Sequence, residues 1–309
     1  MMFKRAKQNR RLGAKSILSC PELLLMVLPG LIFLLLFRYV PFYNITIAFR
    51  KYNIFAGISG SPWVGLQHFQ NLFRSSDFSR VLGNTIIISL MKIAVGFPIP
   101  ILLALLLHEI HSIWFKRFAQ NLFYLPHFLS WVVISGLLFD VLNLSGIINS
   151  TIRSLGGQPI SFLMSPSAFR WVLVISDIWK GAGWGSIIYL AALTSIDAEL
   201  YDAAKIDGAG RLQQTRHITL PGIVPIVVVM FILRMSAVLD VGFDQILMLY
   251  NAQVMAVADI IDTYVYRMGI NGAKYDFSTA VGLFKSLVAM IFVLSCNALV
   301  KWRRGEGIW

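Results

Sequence analysis

The residues best able to do chemistry in this sequence are charged side chains that interrupt long apolar stretches. They are Lys92, Asp177, Lys180, Arg234, Asp240, Asp244 and Lys285. A charge at the centre of a bilayer costs about 2.5–3.5 kcal/mol on insertion scales, so such residues usually face protein or a water-filled path. One interpretation is a polar pathway for a hydrogen-bonding solute, to which Tyr189 could add its ring. The other is structural pairing, because Asp177 and Lys180 are three residues apart and share a helical face.

The sequence lacks the short motifs of the common enzyme classes. It has no G-x-x-x-x-G-K-[ST] phosphate loop, no H-E-x-x-H pair and no G-x-S-x-G elbow. Gly181, Gly183 and Gly185 lie in an apolar stretch, where close helix packing is favoured over phosphate binding. We therefore predict no catalytic residue, no metal site and no directly bound cofactor.

Composition indicates an integral membrane protein. The chain has 309 residues, of which 57% are hydrophobic and 14% charged, and its mean hydropathy is +0.70. A membrane-spanning helix needs roughly 20 largely apolar residues. The prediction is an all-α integral membrane fold with about six spans, at 22–40, 83–107, 119–141, 169–192, 222–240 and 279–300. The two cysteines suggest no disulfide framework.

Basic residues are distributed unevenly among the segments that join these spans. They concentrate in the N-terminal tail (1–21), the turn near 108–118, the polar stretch 196–221 and the C-terminal tail (301–309). Cytoplasmic segments carry an excess of Lys and Arg, so we expect both termini and the polar stretch to be cytoplasmic. The domain organisation is then one six-helix domain, 22–300, between two tails. The net charge of +12 reflects topology and lipid contact, with no pattern typical of nucleic-acid binding.

The polar stretch from 201 to 221 is the most distinctive local sequence. Ser195 or Asp197 can cap a helix start ahead of it, and Gly208 permits the left-handed backbone that ends one. We predict two short helices hinged at the glycine, the second ended by Pro221. Small residues leave one helical face flat, so that a partner protein can dock closely.

This stretch resembles the EAA loop of permease subunits of binding-protein-dependent ABC importers. The family pattern is an acidic residue, two alanines, three variable residues and a glycine, followed by an isoleucine, a leucine and a proline. The matching residues are Asp202, Ala203, Ala204, Gly208, Ile218, Leu220 and Pro221. Asp202 stands where the family usually has glutamate. The triplet from Asp207, and the stretches SPWVGLQHF, NLFYLPHFLSWVV, GWGSIIYLAALTSID and DTYVYRMG, are similar to sugar permeases of the aldouronate and alginate type.

The resemblance implies the type I ABC importer permease fold in a multi-pass protein of the bacterial inner membrane. The implied partners are a second, homologous but different permease subunit, two ATPase subunits and an extracytoplasmic solute-binding protein. The cargo would be a sugar or oligosaccharide, and ATP-Mg would bind the ATPases, so this chain is expected not to be an enzyme. Coupling to the ATPases would involve Asp202, Ala203, Ala204, Asp207, Gly208, Ile218, Leu220 and Pro221.

Two questions about the charged residues remain open: the kind of cargo and the energy source for transport. Basic residues in the outer loops and the pathway lean towards an acidic oligosaccharide. A secondary transporter driven by an ion gradient is the alternative, because it too would place charges in its spans and break its helices. It would need no ATPase.

Overall fold

The computed structural model describes residues 21–304, which are mostly helical and contain one isolated antiparallel bridge, between Arg50 and Trp63. The α-helices, in chain order, are α1 (Pro21–Leu34), α2 (Gly57–Gly60), α3 (Gln67–Arg74), α4 (Ser76–Gly96), α5 (Pro98–Glu109), α6 (Ile113–Tyr124), α7 (Trp131–Leu142), α8 (Ile147–Ser154), α9 (Pro166–Thr194), α10 (Ala198–Ile206), α11 (Arg211–Gln214), α12 (Leu220–Ser236), α13 (Phe243–Leu249), α14 (Met255–Ala258), α15 (Ile261–Tyr266) and α16 (Tyr275–Arg304). Residues 1–20 of the predicted N-terminal tail, including Cys20, lie outside the described residues, as does the end of the C-terminal tail. Cys296 is a free thiol.

Five helical stretches of the described chain are long and apolar enough to cross a membrane. They are Leu24–Phe49, Ser76–Glu109, Trp131–Ser154, Arg211–Ser236 and Tyr275–Ala298. The remaining predicted span, 169–192, lies within α9, which has 29 residues. At 1.5 Å per residue α9 is about 44 Å long, which exceeds the roughly 30 Å hydrocarbon core. α9 carries three charged residues, Arg170, Asp177 and Lys180, along this length.

The predicted third span, 119–141, is not one continuous helix. α6 ends in a 3-10 turn, Leu125–Phe128, and Ser130 caps the start of α7 by accepting a hydrogen bond from the Val133 amide at 3.3 Å. Pro126 lies in the turn; it has no amide hydrogen and disfavours a helical conformation in the residue before it. The prediction of an uninterrupted span was wrong because a proline and a capping serine lie only four residues apart.

The core is organised around α9, which packs against α4, α5, α6 and α12. Phe169 and Leu173 of α9 share one buried cluster with Ile246 and Leu249 of α13. The segment that contains α13 to α15 packs into the protein, where Val254, Ala258 and Ile260 belong to the same buried cluster. It therefore reaches the helices that carry the charged residues.

Candidate functional site

A cavity of about 210 Å³ opens between α4, α5, α9 and α12. Its wall includes Asp177 and Tyr189 from α9 and Arg234 from α12. Tyr189 is buried, whereas the Arg234 side chain is 44% exposed and that of Asp177 is 31% exposed. Three predicted pathway residues therefore meet at this site, which we call the Asp177 cavity.

The charged groups of the Asp177 cavity are connected to a buried hydrogen-bond network. Asp177 Oδ1 accepts a hydrogen bond from Lys92 Nζ at 3.1 Å, and Arg234 Nη2 lies 3.7 Å from Asp177 Oδ2. Lys92 is 2% exposed and also donates to Gln245 Oε1 at 2.5 Å and to the Val241 carbonyl oxygen at 2.7 Å. One carboxylate thus faces two cations. Lys92 is fixed by three acceptors, whereas Arg234 is held only loosely.

Gln245 is a member of this network that sequence reasoning missed. It is completely buried, and its Nε2 donates to the Leu173 carbonyl oxygen and to Ser176 Oγ, both at 2.8 Å. Lys92, by contrast, was among the charged residues that the sequence singled out. The available signal was the position of an amide side chain inside an apolar segment, since a buried amide needs hydrogen-bond partners.

Lys180 does not pair with Asp177, and that prediction is wrong. Its Nζ donates to the carbonyl oxygens of His127, at 2.9 Å, and of Leu129. These carbonyl groups lie at the end of the 3-10 turn after α6, where oxygens lack intrahelical donors and a cation is favourable. The ammonium group also lies 5.6 Å from the Trp131 ring centroid. Lys180 therefore stabilises the break between α6 and α7.

The predicted packing role of the three glycines applies to two of them. A Cβ atom on Gly183 would lie 2.0 Å from the Phe123 carbonyl oxygen, and one on Gly185 would lie 3.2 Å from Pro100. Gly181 has nothing within 4 Å of such an atom and lines the Asp177 cavity. Gly183 thus allows α6 to approach α9.

The other predicted pathway residues lie elsewhere. Asp240 and Lys285 line a second cavity of about 630 Å³, formed by α13, α15 and α16. Asp244 is exposed in the first turn of α13 and lines neither of these two cavities. Over residues 21–304, no group of three or more His, Cys, Asp or Glu side chains is placed to hold a metal ion.

The polar segment between α9 and α12 folds as two helices joined at a glycine. Asp197 Oδ1 caps α10 by accepting from the Glu199 amide at 2.9 Å. At the other end, Gly208 has φ +77°, its amide donates to the Lys205 carbonyl oxygen at 3.0 Å, and the Ala209 amide donates to that of Ala204 at 2.8 Å. These two bonds form a Schellman motif, which ends α10 rigidly.

The second helix of the segment does not end at Pro221. α11 continues through a π-helical turn, Thr215–Thr219, directly into α12, so that one helix runs from Arg211 to Ser236. A π turn displaces the usual i to i−4 hydrogen bonds, and Pro221 lies in the first turn of α12, where the missing amide hydrogen costs little. The prediction failed because a proline ends a helix only where its amide would have been needed.

The predicted coupling residues divide between an exposed face and a hollow. Ala204, Asp207, Gly208 and Ile218 line the hollow, of about 370 Å³, between α10 and the following helix. Asp202, Ala203, Leu220 and Pro221 are exposed and do not line the hollow, whereas Asp207 and Gly208 line it and are exposed as well. Ile206 and Leu212 are adjacent in sequence to residues of the hollow, and sequence reasoning missed both. Ile206 is 87% exposed and Leu212 is 83% exposed.

A family profile described as "Binding-protein-dependent transport system inner membrane component" matches residues 96–303. This range includes the lining residues of the Asp177 cavity, from Gly96 to Arg234, and the whole polar segment. The chain belongs to this family. It is therefore a multi-pass permease of the bacterial inner membrane, in an importer that works with a solute-binding protein, and the recognition of its family and fold from the sequence is confirmed.

Curated relatives of this permease match over nearly its whole length. The chain is 46% identical over 310 residues to "Polygalacturonan/rhamnogalacturonan transport system permease protein YteP" of Bacillus subtilis, a match that covers 100% of this chain and 96% of the relative. It is 43% identical to "Protein LplB" of the same organism, covering 93% of this chain and 91% of the relative.

Solved structures share the fold. A chain in the "crystal structure of a bacterial ABC transporter involved in the import of the acidic polysaccharide alginate" has a TM-score of 0.87 and 40% identity, with 94% of this chain and 99% of that chain covered. A structure of the bacterial alginate ABC transporter with an alginate pentasaccharide-bound periplasmic protein matches with the same TM-score and 39% identity, over 95% of this chain and 99% of that chain.

Family membership also decides two functional questions. ATP is hydrolysed by separate ATPase subunits, so this permease is not an enzyme and binds no cofactor of its own. ATP-driven import is favoured over the ion-gradient alternative for the same reason.

Proposed function

We propose that this permease carries an acidic oligosaccharide along a pathway that it forms with a second, homologous but different permease subunit. The observation that carries the proposal is the charge balance of the Asp177 cavity, where Lys92 and Arg234 face one carboxylate. The surplus charge is positive, and Arg234 is the exposed cation. A guanidinium group binds carboxylates through paired hydrogen bonds, and a uronic acid unit offers such a carboxylate.

The substrates named for the relatives support an acidic cargo. One relative, 46% identical, is named for polygalacturonan and rhamnogalacturonan, and the matching solved importer, 40% identical, is described as importing the acidic polysaccharide alginate. Both substrates contain sugar units that carry carboxylates. The positive surplus at Arg234 fits this shared chemistry.

The exposure of the Asp177 cavity supports the second permease subunit. Arg234 and Asp177 are partly open at the surface of this chain, and charged groups at that depth face protein or water, not lipid. A second permease chain would supply the opposite wall of the pathway, while lipid covers the apolar faces. Asp240, Asp244 and Lys285 belong to the same proposed pathway, nearer its outer end.

The polar segment is proposed to bind one of two ATPase subunits in the cytoplasm, with both termini of the chain on that side. Ile206 and Leu212 are almost fully exposed beside a hollow lined by Asp207 and Gly208. Exposed apolar side chains grouped around a polar hollow are typical of a protein interface. The Schellman motif keeps this surface in one conformation, so ATPase movement reaches the spans.

Uptake by the reconstituted importer tests the proposed cargo. The complex of both permeases, ATPase and binding protein would be placed in proteoliposomes and supplied with tetragalacturonate or with a neutral galacto-oligosaccharide of equal length. We expect ATP-dependent uptake of the acidic sugar only. Removal of one charge-assisted contact in Arg234→Gln should lower that uptake roughly tenfold or more.

Arg80→Gln is the matched control, because Arg80 pairs with Asp77 at 2.7 Å in an exposed site away from the cavity. Its uptake should stay near that of the wild type. Preferred uptake of the neutral sugar, or equal loss in both arginine variants, would contradict the proposal. Co-purification of a single kind of permease chain in the active complex would contradict the heteromeric part.

A further inference from the structure

The second cavity differs from the Asp177 cavity in its charged groups and in the aromatic side chains that line it. Its lining includes two carboxylates, Asp240 and Asp262, one ammonium group, Lys285, and the rings of Phe243, Tyr266 and Tyr275. Its volume of about 630 Å³ is in the range of small-molecule sites, roughly 300–1,000 Å³. Aromatic walls with a few charged groups suit a sugar, whose ring has apolar C–H faces and a polar edge.

The ion pair in this second cavity has hydrogen-bonding capacity left. Lys285 Nζ donates to Asp262 Oδ1 at 2.5 Å, and an ammonium group has three donors. Asp262 Oδ2 is closed to solvent and has no hydrogen-bond partner among the described residues. Asp262 Oδ1 can itself accept a further hydrogen bond, because a carboxylate has about four lone-pair sites on its two oxygens. Both side chains are about one-fifth exposed, so the pair can reach a molecule there.

The two cavities flank one short piece of chain. Val238 and Leu239 share a buried cluster with Ile93 of α4, and Val288 of α16 packs against that cluster. Arg234, which precedes them in the sequence, lines the first cavity, and Asp240, which follows them, lines the second. Six residues separate them, a reach of at most about 20 Å, so one extended oligosaccharide can contact both.

We propose that the second cavity is a sugar subsite that binds the hydroxyl edge of a pyranose unit through Asp262 and Lys285, with Tyr266 and Tyr275 against its ring. The inference rests on the proposed function and deepens it. Because the second cavity has two carboxylates for one ammonium group, it takes hydroxyl groups and not a uronate carboxylate. Arg234 binds the carboxylate of another sugar unit of the same oligosaccharide.

Uptake of tetragalacturonate by the reconstituted importer tests the pair. The double variant Asp262→Asn/Lys285→Gln should reduce uptake at subsaturating sugar roughly tenfold, the effect expected for one lost hydrogen bond to a charged group. The control is Asp77→Asn/Arg80→Gln, which removes an exposed ion pair outside both cavities and should leave uptake nearly unchanged. Uptake at the wild-type rate by the first double variant would overturn the subsite.

Protection of a cysteine separates sugar binding from folding. Thr279→Cys, in a background without Cys20 and Cys296, places a half-buried thiol in the lining of the second cavity. Tetragalacturonate should slow its reaction with a small thiol reagent in the assembled complex, and the Asp262→Asn/Lys285→Gln exchange should abolish that slowing. No slowing in a complex that imports tetragalacturonate would refute the subsite and leave the proposed function standing. Failure of the wild type to import it would refute the proposed function first.

Discussion

Replacement of Lys92 by methionine should destabilise this permease much more than the loss of an ordinary ion pair. The ammonium group donates to Gln245 Oε1, the Val241 carbonyl oxygen and Asp177 Oδ1 at 2.5, 2.7 and 3.1 Å. Methionine fills the space but donates nothing. Gln245 and Val241 are buried, so two acceptors would lose their donor in the interior.

The magnitude follows from those two acceptors. An unsatisfied buried polar group costs about 1–3 kcal/mol, which gives about 2–6 kcal/mol for the two. Asp177 adds little, because it is 31% exposed and still faces Arg234. The wild type also bears the cost of burying a cation, and its removal offsets part of the loss. We expect a net loss of about 2–4 kcal/mol, equivalent to roughly 5–10 °C in melting temperature.

The assay is the fraction of purified complex that stays soluble and monodisperse after heating. Lys205→Met is the matched control, since Lys205 pairs with Asp202 at 2.9 Å with both side chains more than 60% exposed. Such a pair contributes at most about 1 kcal/mol. Equal melting temperatures for the two lysine variants would refute the reasoning.

Three further predictions concern packing, coupling and topology. Gly183→Ala should destabilise the complex by about 1–3 kcal/mol, since its Cβ would lie 2.0 Å from a backbone oxygen, whereas Gly181→Ala should melt near the wild type; equal melting would contradict the packing role. Gly208→Pro should insert normally yet lose binding-protein-stimulated ATP hydrolysis, because φ +77° is closed to proline; full stimulation would count against the coupling surface. In cells without native cysteines, an impermeant thiol reagent should label a cysteine at Ser59 and spare one at Arg211, and outside labelling at Arg211 would reverse the orientation.

Features fixed by local rules were accessible from the sequence. The start of α10 at Asp197 and its end at Gly208 follow from capping and from the left-handed backbone that glycine tolerates. The six apolar stretches followed from length and hydropathy alone. The break after α6 is also encoded locally, because Pro126 and Ser130 together predict a helix end and a new helix start. Hydropathy averaged over a long window does not detect such a short interruption.

Features fixed by contacts distant in sequence were not accessible. Asp177 and Lys180 share a helical face, yet each binds a partner from another helix, Lys92 and the carbonyl oxygens after α6 respectively. Spacing along one helix states which residues are able to pair, while the packing of other helices decides which do. Gln245 was missed for the same reason, since its partners lie about 70 or more residues away in sequence.

The continuous helix from Arg211 to Ser236 is long enough to act as a lever across the membrane. Its 26 residues extend about 39 Å at 1.5 Å per residue. A rigid tilt of about 5° about the Arg211 end would displace the far end by about 3 Å. Arg234, which lies 3.7 Å from Asp177, sits almost at that far end. In the proposed coupling, a small rotation of the polar segment is therefore enough to pull the guanidinium group away from its carboxylate, and the length of this helix sets the movement required of the ATPase.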